Sequence, residues 1–147
     1  MMLEIINKTS QTVDSADFQR LVDFTFKTQN LGENVELSLV FVDEQEMEHL
    51  HVTWLDLAGP TDVMSFPMDE LEVGAQEGIL GDIVLCPTVT AQQAKAAGHS
   101  VRQENCLLVI HGILHLLGHD HYDPEEKKIM FSLQDSILKD YLEQFPS

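Results

Sequence analysis

Positive charge is scarce in this sequence. Its 147 residues hold eight Lys and Arg against 25 Asp and Glu, a formal net charge of −17. No Lys or Arg occurs between Thr28 and Ala94, a span that carries thirteen acidic residues. Phosphate contacts from Lys and Arg supply most of the nucleic-acid affinity that does not depend on base sequence. Composition alone therefore argues against an RNA substrate, and a DNA partner is not expected. Cysteine is also scarce. Cys86 and Cys106 are a pair only in number, and the start MMLEIINKTS lacks a signal peptide's basic and hydrophobic regions. The two thiols read as small buried residues rather than a disulfide, and the protein is expected to be cytoplasmic. No apolar run approaches the ~20 residues of a membrane span. No repeat, low-complexity tract or linker divides the chain. With 44% apolar residues it is expected to fold as one domain, residues 1–147.

What is present concentrates in eleven residues, HGILHLLGHDH, His111 to His121, which hold four of the seven histidines. His111 and His115 are four apart, so on a helix they project from one face, one turn apart. Two imidazoles so placed can bind one metal ion. Gly118 offers the left-handed residue that ends many helices, after which the chain can return a third ligand. His119 and His121 compete for that role. The spacing His111-x3-His115-x2-Gly118-x2-His121 matches the three-histidine pattern of metzincins, which assigns His111, His115 and His121 and leaves His119 outside. Three imidazoles suit a single divalent transition metal ion, zinc, with an open fourth position. The departure is Gly112, which stands where those peptidases carry their glutamate base. Asp120 is read as orienting an imidazole, as a general base, or as a plain loop carboxylate. The catalytic candidates are His111 and Asp120.

Around this motif the expected elements run in order. A strand covers Leu3–Asn7, and a helix capped by Asp14 or Ser15 runs to about Gln29. Glu36–Val42 reads as a strand buried on both faces, and Asp43 caps a helix to about Trp54. Leu57-Ala58-Gly59-Pro60 breaks that helix, Asp62–Phe66 is a short strand, and Asp69–Glu77 is a solvated, mobile acidic loop. Ile79–Leu85 is a strand, Pro87 opens a helix, and the motif helix spans about Ser100 to Leu117. Asp123-Pro124-Glu125-Glu126 starts the last helix, to about Leu142. The reading is α+β: a small mixed sheet of about four strands packed by about five helices, the metal-binding helix central.

HGILHLLGHDH, taken with Thr61-Asp62-Val63-Met64-Ser65-Phe66-Pro67 and Gly81-Asp82-Ile83, resembles the bacterial YbeY family of metal-dependent endoribonucleases. The resemblance runs over nearly the whole chain and implies the same α+β fold. It implies a single-strand-specific endoribonuclease in ribosomal RNA maturation and ribosome quality control. The implied partners are single-stranded ribosomal RNA and ribosome-associated proteins. By the same resemblance Thr61, Ser65 and Phe66 line the substrate groove, although a short central strand explains them equally. His99 and Glu104 fall at family positions, where a helix-surface glutamate is the plainer reading. Met130 either packs beneath the histidines or simply belongs to a helix core. One departure stands out. The family's arginine six residues before the Thr-Asp-Val block is Leu55 here, and His51 replaces an asparagine. Without that arginine the phosphate charge is to be met by the metal, by backbone N–H groups or by another cation such as Arg102. The competing readings are a zinc peptidase with a displaced base, and a metal-stabilised module that docks on a ribosomal or GTPase partner without cleaving anything.

Overall fold

Four strands pair into one mixed sheet, and only the second alternates strictly between buried and half-buried residues. They are β1 (Met2–Asn7), β2 (Asn34–Phe41), β3 (Val63–Pro67) and β4 (Glu77–Leu85), in the order β1-β2-β4-β3. β1, β2 and β4 run parallel, and β3 is the antiparallel edge beside β4. The helices are α1 (Ser15–Thr28), α2 (Glu44–Leu55), α3 (Pro87–Ala97), α4 (Val101–Leu116) and α5 (Pro124–Gln144). This computed structural model describes residues 2–55, 63–119 and 123–146, and the side chains of 51–55 are not among those described. The expectations at Thr61, Asp62, Asp120 and His121 therefore lie outside the described residues, as do the side chains of His51 and Leu55. Within them the α+β reading holds, with four strands and five helices.

The helix starts follow from local chemistry. Asp14 accepts from the Asp17 amide, Asp43 from Glu46, Ser100 from Gln103 and Asp123 from Glu125, each satisfying an otherwise orphan N–H. Pro87 and Pro124 occupy first-turn positions, where a missing N–H costs nothing. The main core lies between one sheet face and α1, α4 and α5. It includes Leu21 and Phe26, Leu39 and Phe41, Ile83 and Leu85, Ile110 and Leu114, and Ile137. Burying each such side chain is worth about 1.5–3 kcal/mol. A smaller cluster on the opposite face joins Met47 of α2 to Met64, Val84, Cys86 and Val89.

That asymmetry corrects one expectation. β2 is fully buried only at Val35, Leu37, Leu39 and Phe41, while the residues between them are half-buried. The second sheet face has the smaller cover, so β2 is not buried on both sides. The two cysteines are buried and free, as expected. Burial pushes the Cys106 thiol up to about 12, which leaves it protonated and unreactive.

Gly81 has a structural duty. The register between β2 and β4 slips at Glu36/Leu37, leaving Leu80 as an extra residue beside Gly81. Gly81 takes φ +149, and a Cβ there would lie 2.3 Å from the Phe66 carbonyl oxygen. Only glycine allows this bulged strand to approach β3 so closely.

Candidate functional site

α4 is apolar on nearly every side because it is packed from nearly every side. It lies against β3 and β4 and touches α1, α3 and α5. Its end is a two-bond cap. The Gly118 N–H donates to the His115 carbonyl (3.0 Å), and the His119 N–H reaches back to Leu114 (3.1 Å). Gly118 adopts φ +94 to allow it. The helix stops where the sequence indicated, and its negative dipole end falls at the last turn, beside His115.

His111 and His115 share one face. Their rings are parallel to within 5°, with centroids 6.4 Å apart. His111 Nδ1 lies 2.7 Å from Oε1 of Gln134, which is 4% exposed on α5. An amide oxygen can only accept, so in this orientation Nδ1 carries the proton and Nε2 keeps its lone pair. That is the tautomer a metal-binding imidazole needs. Phe131 also stacks on His111, at 6.1 Å and 26°. Lys127 Nζ stands 5.9 Å from the Phe131 centroid. Gln134, Phe131 and Lys127 were not legible as site residues. They lie on α5, beyond the motif, and carry no spacing signal.

Beside His115 opens a groove of about 700 Å³, lined by His115, Gly118 and His119 on one side and by Pro67 and residues 70–73 on the other. The wall made by Glu70, Leu71, Glu72 and Val73 belongs to the acidic loop expected to be mobile. It is in fact tied down. The Asp69 amide donates to the Ile79 carbonyl (2.9 Å), and the Ile79 amide donates to the Asp69 carboxylate (2.7 Å). The Gly74 amide donates to the Gln29 carbonyl, and the Gly32 amide to the Ala75 carbonyl. The loop backbone thus hangs from the α1–β2 turn, and Glu70 and Glu72 lie along the groove.

Gly112 explains the missing glutamate. It packs onto the sheet, and a Cβ there would meet Ile83 at 2.9 Å (Cδ1) and 3.2 Å (Cγ1 and Cγ2). The position after the first histidine faces the core, so no carboxylate could stand there and reach the histidine face.

The sequence pattern described as Endoribonuclease YbeY matches residues 4–142. The chain belongs to the YbeY family. It is 52% identical over 143 residues to the endoribonuclease YbeY of Clavibacter michiganensis, covering 94% of each chain. It is 46% identical over 149 residues to that of Mycobacterium tuberculosis, covering 97% of this chain and 84% of the other. A Thermotoga maritima protein, TM1509, solved in solution, is similar with a TM-score of 0.69 at 26% identity, over 98% of this chain and 91% of its own.

The residues marked by the YbeY resemblance are distributed unevenly by the fold. Ser65 pairs with Ile83, the residue under Gly112, whereas Phe66 packs against the smaller cluster on the opposite sheet face. Pro67, which ends that motif, lines the groove. Asp82 sits half-buried inside β4. Glu104 is not a surface residue. It is 5% exposed, with its carboxylate 2.6 Å from Nε2 of His99. Met130 is fully buried in the main core.

Arg102 is not brought to the histidines. It lies nine residues before His111, about 13 Å along the helix. Its guanidinium donates to Asp17 (2.9 and 3.0 Å) and to the Phe145 carbonyl (2.7 Å). Tyr141 donates to the same Asp17 carboxylate at 2.6 Å, and burial pushes its phenol up to about 12. Burial would raise the Asp17 carboxyl, but the hydrogen bonds from Arg102 and Tyr141 and the two arginine charges outweigh it and hold it below the usual range. A depressed native pKa contributes stability that is present above the unfolded value, near 4, and is lost as pH falls through the lower native one. Arg102→Ala should therefore cost about 2 kcal/mol at pH 7 while sparing the histidine site. The difference from the parent should shrink once Asp17 is protonated in both. Urea midpoints at pH 7 and pH 3 check this. A loss of activity without a loss of stability would return Arg102 to the site.

Proposed function

We propose that this protein is a metal-dependent, single-strand-specific endoribonuclease of ribosomal RNA maturation and ribosome quality control, folded as one domain. The observation that carries the reading is the His111–His115 pair, with the Gln134 oxygen holding the proton on Nδ1 of His111 so that Nε2 carries the lone pair a metal ligand uses. Family membership supplies the reaction, since the relatives are named endoribonucleases. His111, His115 and His121 would hold one divalent ion, for which zinc suits the donor set. When bound, such an ion supplies Lewis acidity and an activated water near neutral pH.

The remaining work belongs to the chain itself. Gln134 fixes the His111 tautomer and ring plane. Asp120 is proposed either to orient a neighbouring imidazole or to take a proton from the attacking water. Ser65 and Thr61 are proposed to contact the strand at the β3 side of the groove. Gly112 favours phosphodiester hydrolysis over proteolysis, because the usual peptidase base has no room there. The net charge of −17 and the carboxylates along the groove favour delivery of the RNA by the ribosome or a ribosome-associated protein. They also support the second reading, a metal-stabilised docking module for a ribosomal or GTPase partner. Among the described residues no helix is long and apolar enough to cross a membrane, in keeping with a cytoplasmic role.

The test is metal content by elemental analysis, with cleavage of single-stranded ribosomal RNA run alongside. About one metal per chain is expected, lost in His121→Ala and kept in His119→Ala. Cleavage should fall on the order of a hundredfold or more in His115→Ala. Cleavage that persists in His115→Ala would point to a contaminating nuclease. No cleavage by the parent, with ribosome binding intact, would move the assignment to the docking module.

A further inference from the structure

The ion pairs show which cations are available to an RNA strand. Lys8 pairs with Glu46 and Lys27 with Asp23, while Arg20 and Arg102 share Asp17. Lys95, Lys127, Lys128 and Lys139 have no carboxylate partner among the described residues. Their positions differ. Lys139 lies twelve residues beyond Lys127 on α5, about 18 Å along the axis. Lys128 follows Lys127 in sequence, but on a helix it projects about 100° round the axis. Among the described residues Lys127 alone of the four stands over an aromatic ring, Phe131, and that ring stacks on His111.

We propose that Lys127 contacts a phosphate of the RNA strand bound at His111. The inference rests on the ribonuclease reading above. Lys127 and Phe131 are four apart on α5, so the ring lies one turn below the ammonium and steadies the long side chain. A ring face uses none of the three ammonium donors, all of which stay available to phosphate oxygens. The opposite condition holds by His115, where Glu70 and Glu72 line the groove. No Lys or Arg lies between Thr28 and Ala94 to offset them. A polyanionic strand is repelled from that wall and attracted to α5, so its backbone runs on the Lys127 side and its bases face the β3–β4 loop. In a protein with this net charge, one such contact is a large share of the attraction.

The experiment is binding of a labelled 2′-O-methyl single-stranded oligonucleotide, which cannot be cleaved, across a salt series. Cleavage of single-stranded RNA is measured beside it. The proteins are the parent, Lys127→Ala, Lys127→Arg, Lys128→Ala and Lys139→Ala. Lys127→Ala should weaken binding roughly tenfold to a hundredfold at low salt, as expected for a charged hydrogen bond. It should also flatten the dependence of log K on log salt by about 0.7, the contribution of one phosphate on a single strand. Lys127→Arg should keep both, and Lys128→Ala and Lys139→Ala should stay within about twofold of the parent. A Lys127→Ala slope equal to that of Lys128→Ala overturns the contact, even if RNA is cleaved normally. A parent that cleaves no RNA yet binds the strand through Lys127 keeps the contact and removes the ribonuclease reading. A parent that binds no strand at all removes the contact, and the cleavage measured beside it decides the ribonuclease reading separately.

Discussion

Gly112→Glu, which writes the peptidase sequence H-E-x-x-H into α4, should yield a protein that scarcely folds rather than a peptidase. Even a methyl group at residue 112 would sit 2.9 Å from Cδ1 of Ile83, which is fully buried. Overpacking of that kind costs about 1–3 kcal/mol, and a buried carboxylate with no partner adds several more. The total, on the order of 5 kcal/mol, is comparable with the whole stability of a small domain. Gly112→Ala gives a graded version. It gains about 1 kcal/mol of helix propensity and loses more than that to the clash with Ile83. Ile83→Val removes Cδ1, so the double mutant should recover part of the Gly112→Ala loss. Urea midpoints of the four proteins measure this. A Gly112→Glu protein with the parent's midpoint would show that α4 does not press on β4 as described.

Gln134→Leu should leave the fold nearly intact and damage the site. Gln134 is 4% exposed, and its oxygen accepts from His111 across a 2.7 Å gap. Leucine fills similar space, and leaving the His111 N–H without this acceptor costs about 1–3 kcal/mol, too little to unfold a domain of ordinary stability. His111 then loses the acceptor that fixes its tautomer and ring plane. Loss of such a partner commonly lowers metal affinity or activity by about 10- to 100-fold. Competition with a chelator gives the affinity, and the RNA assay gives the rate. Gln134→Glu keeps an acceptor at the same place and should retain most of both. Metal affinity in Gln134→Leu within about twofold of the parent would remove Gln134 from the site.

These two positions illustrate how differently the chain exposes its logic. The histidine pair, the stop at Gly118 and the caps at Asp14, Asp43 and Asp123 could be read directly. Each depends on residues within about one turn of one another, and a helix repeats its geometry strictly over that distance. Gly112 could be seen as a departure from a peptidase motif, but its reason could not. That reason is Ile83, twenty-nine residues earlier and on another element. Arg102 shows the same limit from the other side. Its charge suggested phosphate, yet Asp17, 85 residues away, holds it.

By itself, then, the sequence determined the elements, the α+β class, the family and the spacing of the metal-ligand candidates. All of these are written in local periodicity and in short motifs. Tertiary structure decided which side chains serve those candidates. It placed Gln134 and Phe131 of α5 against His111, tied the acidic loop down as the groove's wall, and set Lys127 over the ring that stacks on His111. The physical reason is that such partners meet only when separate elements dock. Docking is set by how the whole apolar surface packs, and no local window of residues records it.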